Sequence, residues 1–184
     1  MQLTDNRPGN VLLSLLLMIM ISSIHHNGQA QFLRLQLVVE DEVAISRSDM
    51  MDLGIIRPNQ GWVQVNIMGD FAGRLTLRTT ENNNVIVNIQ ASEELVMDGF
   101  NRMPFNFEAA YVNDGSNDPR NAVPITDNQA AFPVNKNGLL AENMTNHRQQ
   151  LQLTLLFYGS VYAGEIEPGV YAGEVLVTIE YEES

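Results

Sequence analysis

The chain contains no cysteine. That excludes disulfide staples, thiol nucleophiles and a lipid attached at cysteine, and it leaves stability to packing and hydrogen bonding. Histidine is almost as scarce. Of three, His25 and His26 fall in the N-terminal leader described below, and only His147 remains, in the polar context Asn146-His147-Arg148. A lone histidine there reads as a solvated side chain rather than a base or ligand. Basic charge is also short, with 10 basic against 22 acidic side chains and a formal net charge of −12. Such a surface repels phosphate backbones and anionic lipid, so nucleic acid is excluded as a partner class. There is no HExxH, CxxC or G-x-S-x-G arrangement. A nucleophile needs a base within hydrogen-bond reach, and the chain offers very few candidates. The expectation is a protein that is not an enzyme, with no cofactor and no metal.

Long apolar runs are missing too. The longest, Val11–Ile24 (VLLSLLLMIMISSI), is interrupted by serines and is shorter than the roughly 20 residues of a spanning helix. It follows a polar segment carrying Arg7 and precedes Gly28-Gln29-Ala30, which places small residues where a signal peptidase reads them. Residues 1–30 are therefore read as a secretory signal cut after Ala30, leaving residues 31–184 as one secreted domain with no membrane span. The cut removes one acid, Asp5, and one base, Arg7, so the charge balance is unchanged.

What the chain does have is alternation. Leu33, Leu35, Leu37 and Val39 recur every second residue, the period of a half-buried strand. Glu40-Asp41-Glu42 interrupts the row, and Val43 and Ile45 resume it. Leu53-Gly54-Ile55-Ile56 is a short strand closed by Pro58–Gly61. Val63, Val65 and Ile67 alternate with Trp62, Gln64 and Asn66. Leu75 and Leu77 mark a strand, Glu81–Asn84 a turn, and Val85, Val87 and Ile89 its expected partner. Met103, Phe105, Phe107, Ala109 and Tyr111 alternate almost without fault. Asn113–Asn121 and Asn128–Asn137 read as polar loops, and Leu139–Arg148 as one short helix. Leu151, Leu153, Leu155 and Phe157 then form a strand. Glu167-Pro168-Gly169 turns the chain, and Val175, Val177, Ile179 and Tyr181 return, as a closing hairpin. Many short strands with turn signals and no long helix predict an all-β sandwich.

Few residues invite a chemical reading. The acidic pairs Glu93-Glu94 and Asp49/Asp52 are the residue type used in glycoside hydrolysis, but their neighbours give no sign of it, and they read as solvated charge. Asn113–Asp118 spaces oxygen side chains as calcium loops do, yet lacks the glycine placement and distal glutamate of an EF-hand, so a solvated turn is expected. Asn143-Met144-Thr145 is formally a glycosylation sequon. Gly69, Gly73, Gly138 and Gly164 are read as turns or bulges. Trp62, Tyr158 and Tyr162 are open to two readings, an aromatic binding patch of the kind carbohydrate readers use or edge packing.

Two stretches carry a resemblance. One is Ile45-Ser46 followed by Met51-Asp52-Leu53-Gly54-Ile55-Ile56, Pro58 and Gly61. The other is Pro168-Gly169-Val170-Tyr171-Ala172-Gly173 leading into Val175–Tyr181. Together they resemble the family of secreted bacterial domains of unknown function numbered 4402, whose members look pilin-like and carry an early L-x-F-G and a late G-x-Y-x-G. Leu53-Gly54 here lacks the Phe before Gly. A tyrosine close to the C-terminus is also similar to chaperone–usher pilins, although the cysteine pair many of those carry is missing. The resemblance spans roughly Leu37 to Tyr181 and implies an immunoglobulin-like, pilin-like β-sandwich, exported to the cell surface or a fimbrium. It implies other copies of the chain or related pilin subunits as partners, with a periplasmic chaperone. In that setting Leu33, Leu35, Leu37 and Val39 would be a donor row that pairs subunits through Gln31–Val39, and Val175, Val177, Ile179 and Tyr181 the closing strand beside it. The alternative is a monomeric secreted adhesin or glycan-binding module, in which Gln31–Val39 is a first strand in the protein's own sheet.

Overall fold

The computed structural model describes residues 30–39, 44–79, 83–136 and 151–182. Twelve strands account for most of them: β1 Ala30–Val39, β2 Ala44–Asp49, β3 Asp52–Ile55, β4 Gly61–Val65, β5 Gly73–Thr79, β6 Asn84–Ala91, β7 Glu94–Val96, β8 Arg102–Val112, β9 Val123–Ile125, β10 Gln129–Pro133, β11 Leu151–Ala163 and β12 Ala172–Tyr181. The only helical element described is a 3-10 turn at Pro119–Asn121. The all-β sandwich expected from the alternation is what the chain forms.

Register assigns the strands to two layers. In the first, β12 has β6 along Val175–Tyr181 of one edge, with β7 continuing that line at Ala172, and β1 along Ala172–Ile179 of the other. β10 extends the sheet beyond β6, and β3 beyond β1. In the second layer β11 is central. β8 takes Thr154–Val161 of one edge, while β5 and β4 share the other, pairing with Leu151–Phe157 and Gly159–Ala163. β2 and β9 close the two sides. β8 belongs to both layers. Its first residues, Arg102–Pro104, pair with β7, and Phe105–Val112 pair with β11.

Each layer contributes its apolar face to one core. Val85, Val87, Ile89, Val175, Val177 and Ile179 come from the first sheet, and Leu75, Leu77, Leu153, Leu155, Phe157 and Val161 from the second; all are buried in a single cluster. The faces follow the alternation. In β12, Val175, Val177 and Ile179 are buried, Thr178 is half-buried and Glu180 is exposed.

Two pairings expected from the sequence are corrected. β11 and β12 are not a hairpin, because β11 lies in the second sheet and β12 in the first. β5 and β6 are likewise split between the layers. The β11–β12 link is an arch across the core. The reason is that two successive strands, each with one apolar face, can bury those faces against each other as well as side by side. A third correction concerns Asn128–Asn137, which holds strand β10 rather than only a loop; Phe132 and Val134 there are core residues. The helix expected at Leu139–Arg148 lies outside the described residues, as do His147, the Asn143 sequon, Gly138 and most of the predicted leader.

The β11–β12 arch is anchored by Tyr171. Its ring is 1% exposed, and its hydroxyl donates to the Glu167 carbonyl oxygen at 3.0 Å. Burial pushes the phenol above its ordinary pKa. Tyr171→Phe keeps the packing and removes that one bond. Because Glu167 is exposed and its carbonyl can be rehydrated, the expected loss is about 1 kcal/mol, read as a lower urea midpoint with unchanged slope.

Candidate functional site

The pairing row predicted at Leu33, Leu35, Leu37 and Val39 lies on β1, within the protein's own first sheet. Eight consecutive residues, Phe32–Val39, run parallel to Ala172–Ile179 of β12. On its other side β1 meets β3 over three pairs only, with a register break between Gln31 and Phe32. Leu33 is 3% exposed and joins the core cluster, and its N–H donates to the Met51 carbonyl at 3.2 Å. The register sets Leu35 against Val175, Leu37 against Val177 and Val39 against Ile179, the buried positions of β12. The side chains of Leu35, Leu37 and Val39 lie outside the described residues. The predicted cut after Ala30 would remove the first residue of β1, which pairs with Ile55.

The place for Leu33 is shaped by a glycine. A Cβ at Gly173, its register partner, would stand 2.8 Å from Leu95 Cδ2 and 3.1 Å from Leu33 Cδ1. Gly173 therefore leaves the space in which the two leucines meet. At the rim, Arg34 and Glu174 approach to 3.6 Å with both side chains largely in solvent, an ion pair that contributes little. Tyr181, the last residue of the predicted closing row, departs from full burial. It is half-buried, and its hydroxyl lies 3.3 Å from Thr79 Oγ1, joining the end of the first sheet to the second.

A second feature sits on the outer face of the second sheet. Trp62 of β4 and Tyr162 of β11 are register partners. Their ring centroids are 5.4 Å apart at an interplanar angle of 61°, and they are 68% and 47% exposed. Tyr158 lies on the same strand face, half-buried and opposite Glu108 of β8. Burial, with the nearby Glu108 carboxylate second, raises its pKa.

The loop read as a solvated turn is tightly cross-linked within itself. Asp114 Oδ1 accepts from the Ser116 hydroxyl at 2.6 Å and its backbone N–H at 2.9 Å, and Oδ2 accepts from the Asn121 amide at 2.8 Å. Asp118 accepts from the Arg120 guanidinium and the Arg120 backbone N–H. These donors hold both carboxyls below their ordinary pKa values, the Ser116 hydroxyl acting most on Asp114 and the Arg120 guanidinium most on Asp118. Among the described residues no three or more His, Asp or Glu side chains are grouped to hold a metal ion. The loop also reaches over the outer face of the second sheet, where Thr154 Oγ1 donates to Asn117 Oδ1 and meets Thr76 Oγ1 at 3.3 Å. Beside it Leu156, Ala110 and Val112 are buried on the side away from the main core, which periodicity alone did not foretell. Members of both acidic pairs bond to neighbouring groups. Glu94 bonds Arg102 at 2.9 Å, and Asp52 accepts from the Gly54 N–H at 2.8 Å.

No family model matches the chain, and no curated protein matches it. Among the described residues, no helix is long and apolar enough to cross a membrane.

Proposed function

We propose that the protein is a secreted, non-catalytic subunit of a surface fibre, and that copies join by exchanging the strand Gln31–Val39. The observation that carries this reading is the position of β1. It is the only parallel strand among the described pairings, and it lies along nearly the whole of the last strand. A parallel neighbour cannot be reached by a tight turn. β1 is tied to β12 only through the rest of the fold, so the same segment from another copy can occupy the place without rethreading the chain. Main-chain hydrogen bonds would give such an addition its affinity, and the slot over Gly173 would set its register on Leu33. The Tyr171–Glu167 bond supports an immunoglobulin-like sandwich for the body of the subunit, since such folds use a corner tyrosine in this way.

Burying an aliphatic side chain contributes about 1.5–3 kcal/mol, so the Leu33, Leu35, Leu37 and Val39 row offers on the order of 6–12 kcal/mol before ordering costs. A chain lacking residues 31–39 is expected to fold only when a peptide of that sequence is supplied, and then to remain monomeric. Size-exclusion chromatography with light scattering, and electron microscopy of material sheared from cells, read the outcome. A full-length protein that stays monomeric at high concentration, with its β1 amides protected from hydrogen exchange, would remove the fibre reading. The monomeric secreted binding module would take its place, a reading favoured by the seating of β1 in its own sheet.

A further inference from the structure

The outer face of the second sheet is treated differently at its two ends. At one end the Asn117 loop bonds Thr154, and Leu156, Ala110 and Val112 are buried. At the other end the chain leaves its only tryptophan and a tyrosine in solvent. Tryptophan is highly buried on average, so two large rings paired across neighbouring strands and left uncovered mark a surface with a use.

The rows next to the ring pair define what fits. Along β11, Tyr162, Ser160 and Tyr158 share the outer face with the period of a strand. Ser160 stands in register between exposed Gln64 on β4 and exposed Asn106 on β8. With strands about 4.8 Å apart and same-face residues about 6.7 Å apart, the patch measures about 10 by 13 Å. It offers one apolar aromatic platform and beside it two carboxamides and a hydroxyl, groups that both donate and accept hydrogen bonds. In a chain of net charge −12 this patch carries one carboxylate, Glu108 at its margin, to which Asn106 Nδ2 lies at 3.4 Å. A cationic partner would find far more charge elsewhere on the protein, and an anionic one would be repelled by the whole. The complementary ligand is neutral, with a flat face of C–H groups and a rim of hydroxyls.

We infer that the Trp62–Tyr162 face binds a neutral glycan, one sugar ring stacking on the aromatic pair and the next meeting Gln64, Ser160 and Asn106. The site is distinct from the β1 slot and stands whether or not strands are exchanged.

Trp62 is the only tryptophan, so its emission reports directly on the site. The test is a screen of the full secreted chain against uncharged oligosaccharides, namely glucans, galactosides and mannosides, followed by fluorescence titration of any that bind. Trp62→Ala, which loses the reporter and is followed by calorimetry, and Tyr162→Ala should each weaken binding at least tenfold without moving the unfolding midpoint. Trp62→Phe should retain part of the affinity, followed by calorimetry. Gln64→Ala should weaken it severalfold. Phe100→Ala, at a residue 93% exposed on the loop between β7 and β8, should leave binding unchanged. The inference is overturned if no uncharged oligosaccharide binds, if only charged glycans bind, if Trp62→Ala binds as well as the parent, or if that variant merely dissociates a dimer.

Discussion

Val177→Asp should leave no folded protein to purify. Val177 is fully buried in β12, in register with Leu37 on one side and Ile89 on the other. An aspartate there would place an unpaired carboxylate between two sheets, at a cost of several kcal/mol. A domain of this size has about 5–15 kcal/mol in total, and this one has no disulfide to hold a loosened state together. Thr178→Asp, one residue on and half-buried on the opposite face, should cost no more than about 1 kcal/mol. Soluble yield and circular dichroism of the two variants check the register. Equal tolerance would mean that the faces of β12 are exchanged, since a slip of one residue swaps them.

Gly159→Ala is expected to be nearly as damaging, although it adds a single methyl group. Gly159 lies within the central strand β11 with φ of 149°. A Cβ there would sit 2.2 Å from the Asn106 carbonyl oxygen and 3.2 Å from its carbon. That oxygen belongs to the backbone of β8, which cannot retreat without breaking its ladder with β11. Steric overlap and the strained backbone each cost about 1–3 kcal/mol, so a loss of roughly 2–6 kcal/mol is expected in chemical denaturation. Gly99→Ala is the control. Gly99 also has positive φ, 85°, but nothing lies within 4 Å of its added Cβ, so only the conformational strain of about 1–2 kcal/mol remains. Losses of the same size would mean that the close approach to β8 has no energetic weight.

These two positions also mark what the sequence made legible and what it did not. The faces of β12 and β8 were readable because alternation reports directly which side is buried: Val175, Val177 and Ile179 in one, Met103, Phe105 and Ala109 in the other. Alternation says nothing of which strand lies alongside. Leu151–Phe157 and Val175–Tyr181 read equally well as a hairpin or as an arch, and the choice was made by core geometry. β10 was hidden because an edge strand with two alanines and a proline among its five residues carries little apolar signal. Gly159 has no signature, since its role depends on a carbonyl 53 residues earlier in the chain. Of the candidate sites, Trp62, Tyr158 and Tyr162 could be suspected from residue type. Gln64, Ser160 and Asn106 could not, because only the pairing of β4, β11 and β8 brings them into one row.

The pairing of β1 with β12 also sets an order in time. Phe32 and Ala172 are register partners 140 residues apart. Contacts this far apart in the chain are slow to close, because closing so long a loop costs entropy before any contact forms. The place beside β12 is therefore slow to fill from within the chain. On the proposed exchange of strands, a neighbour's Gln31–Val39 would compete with the chain's own for that place while it stands open.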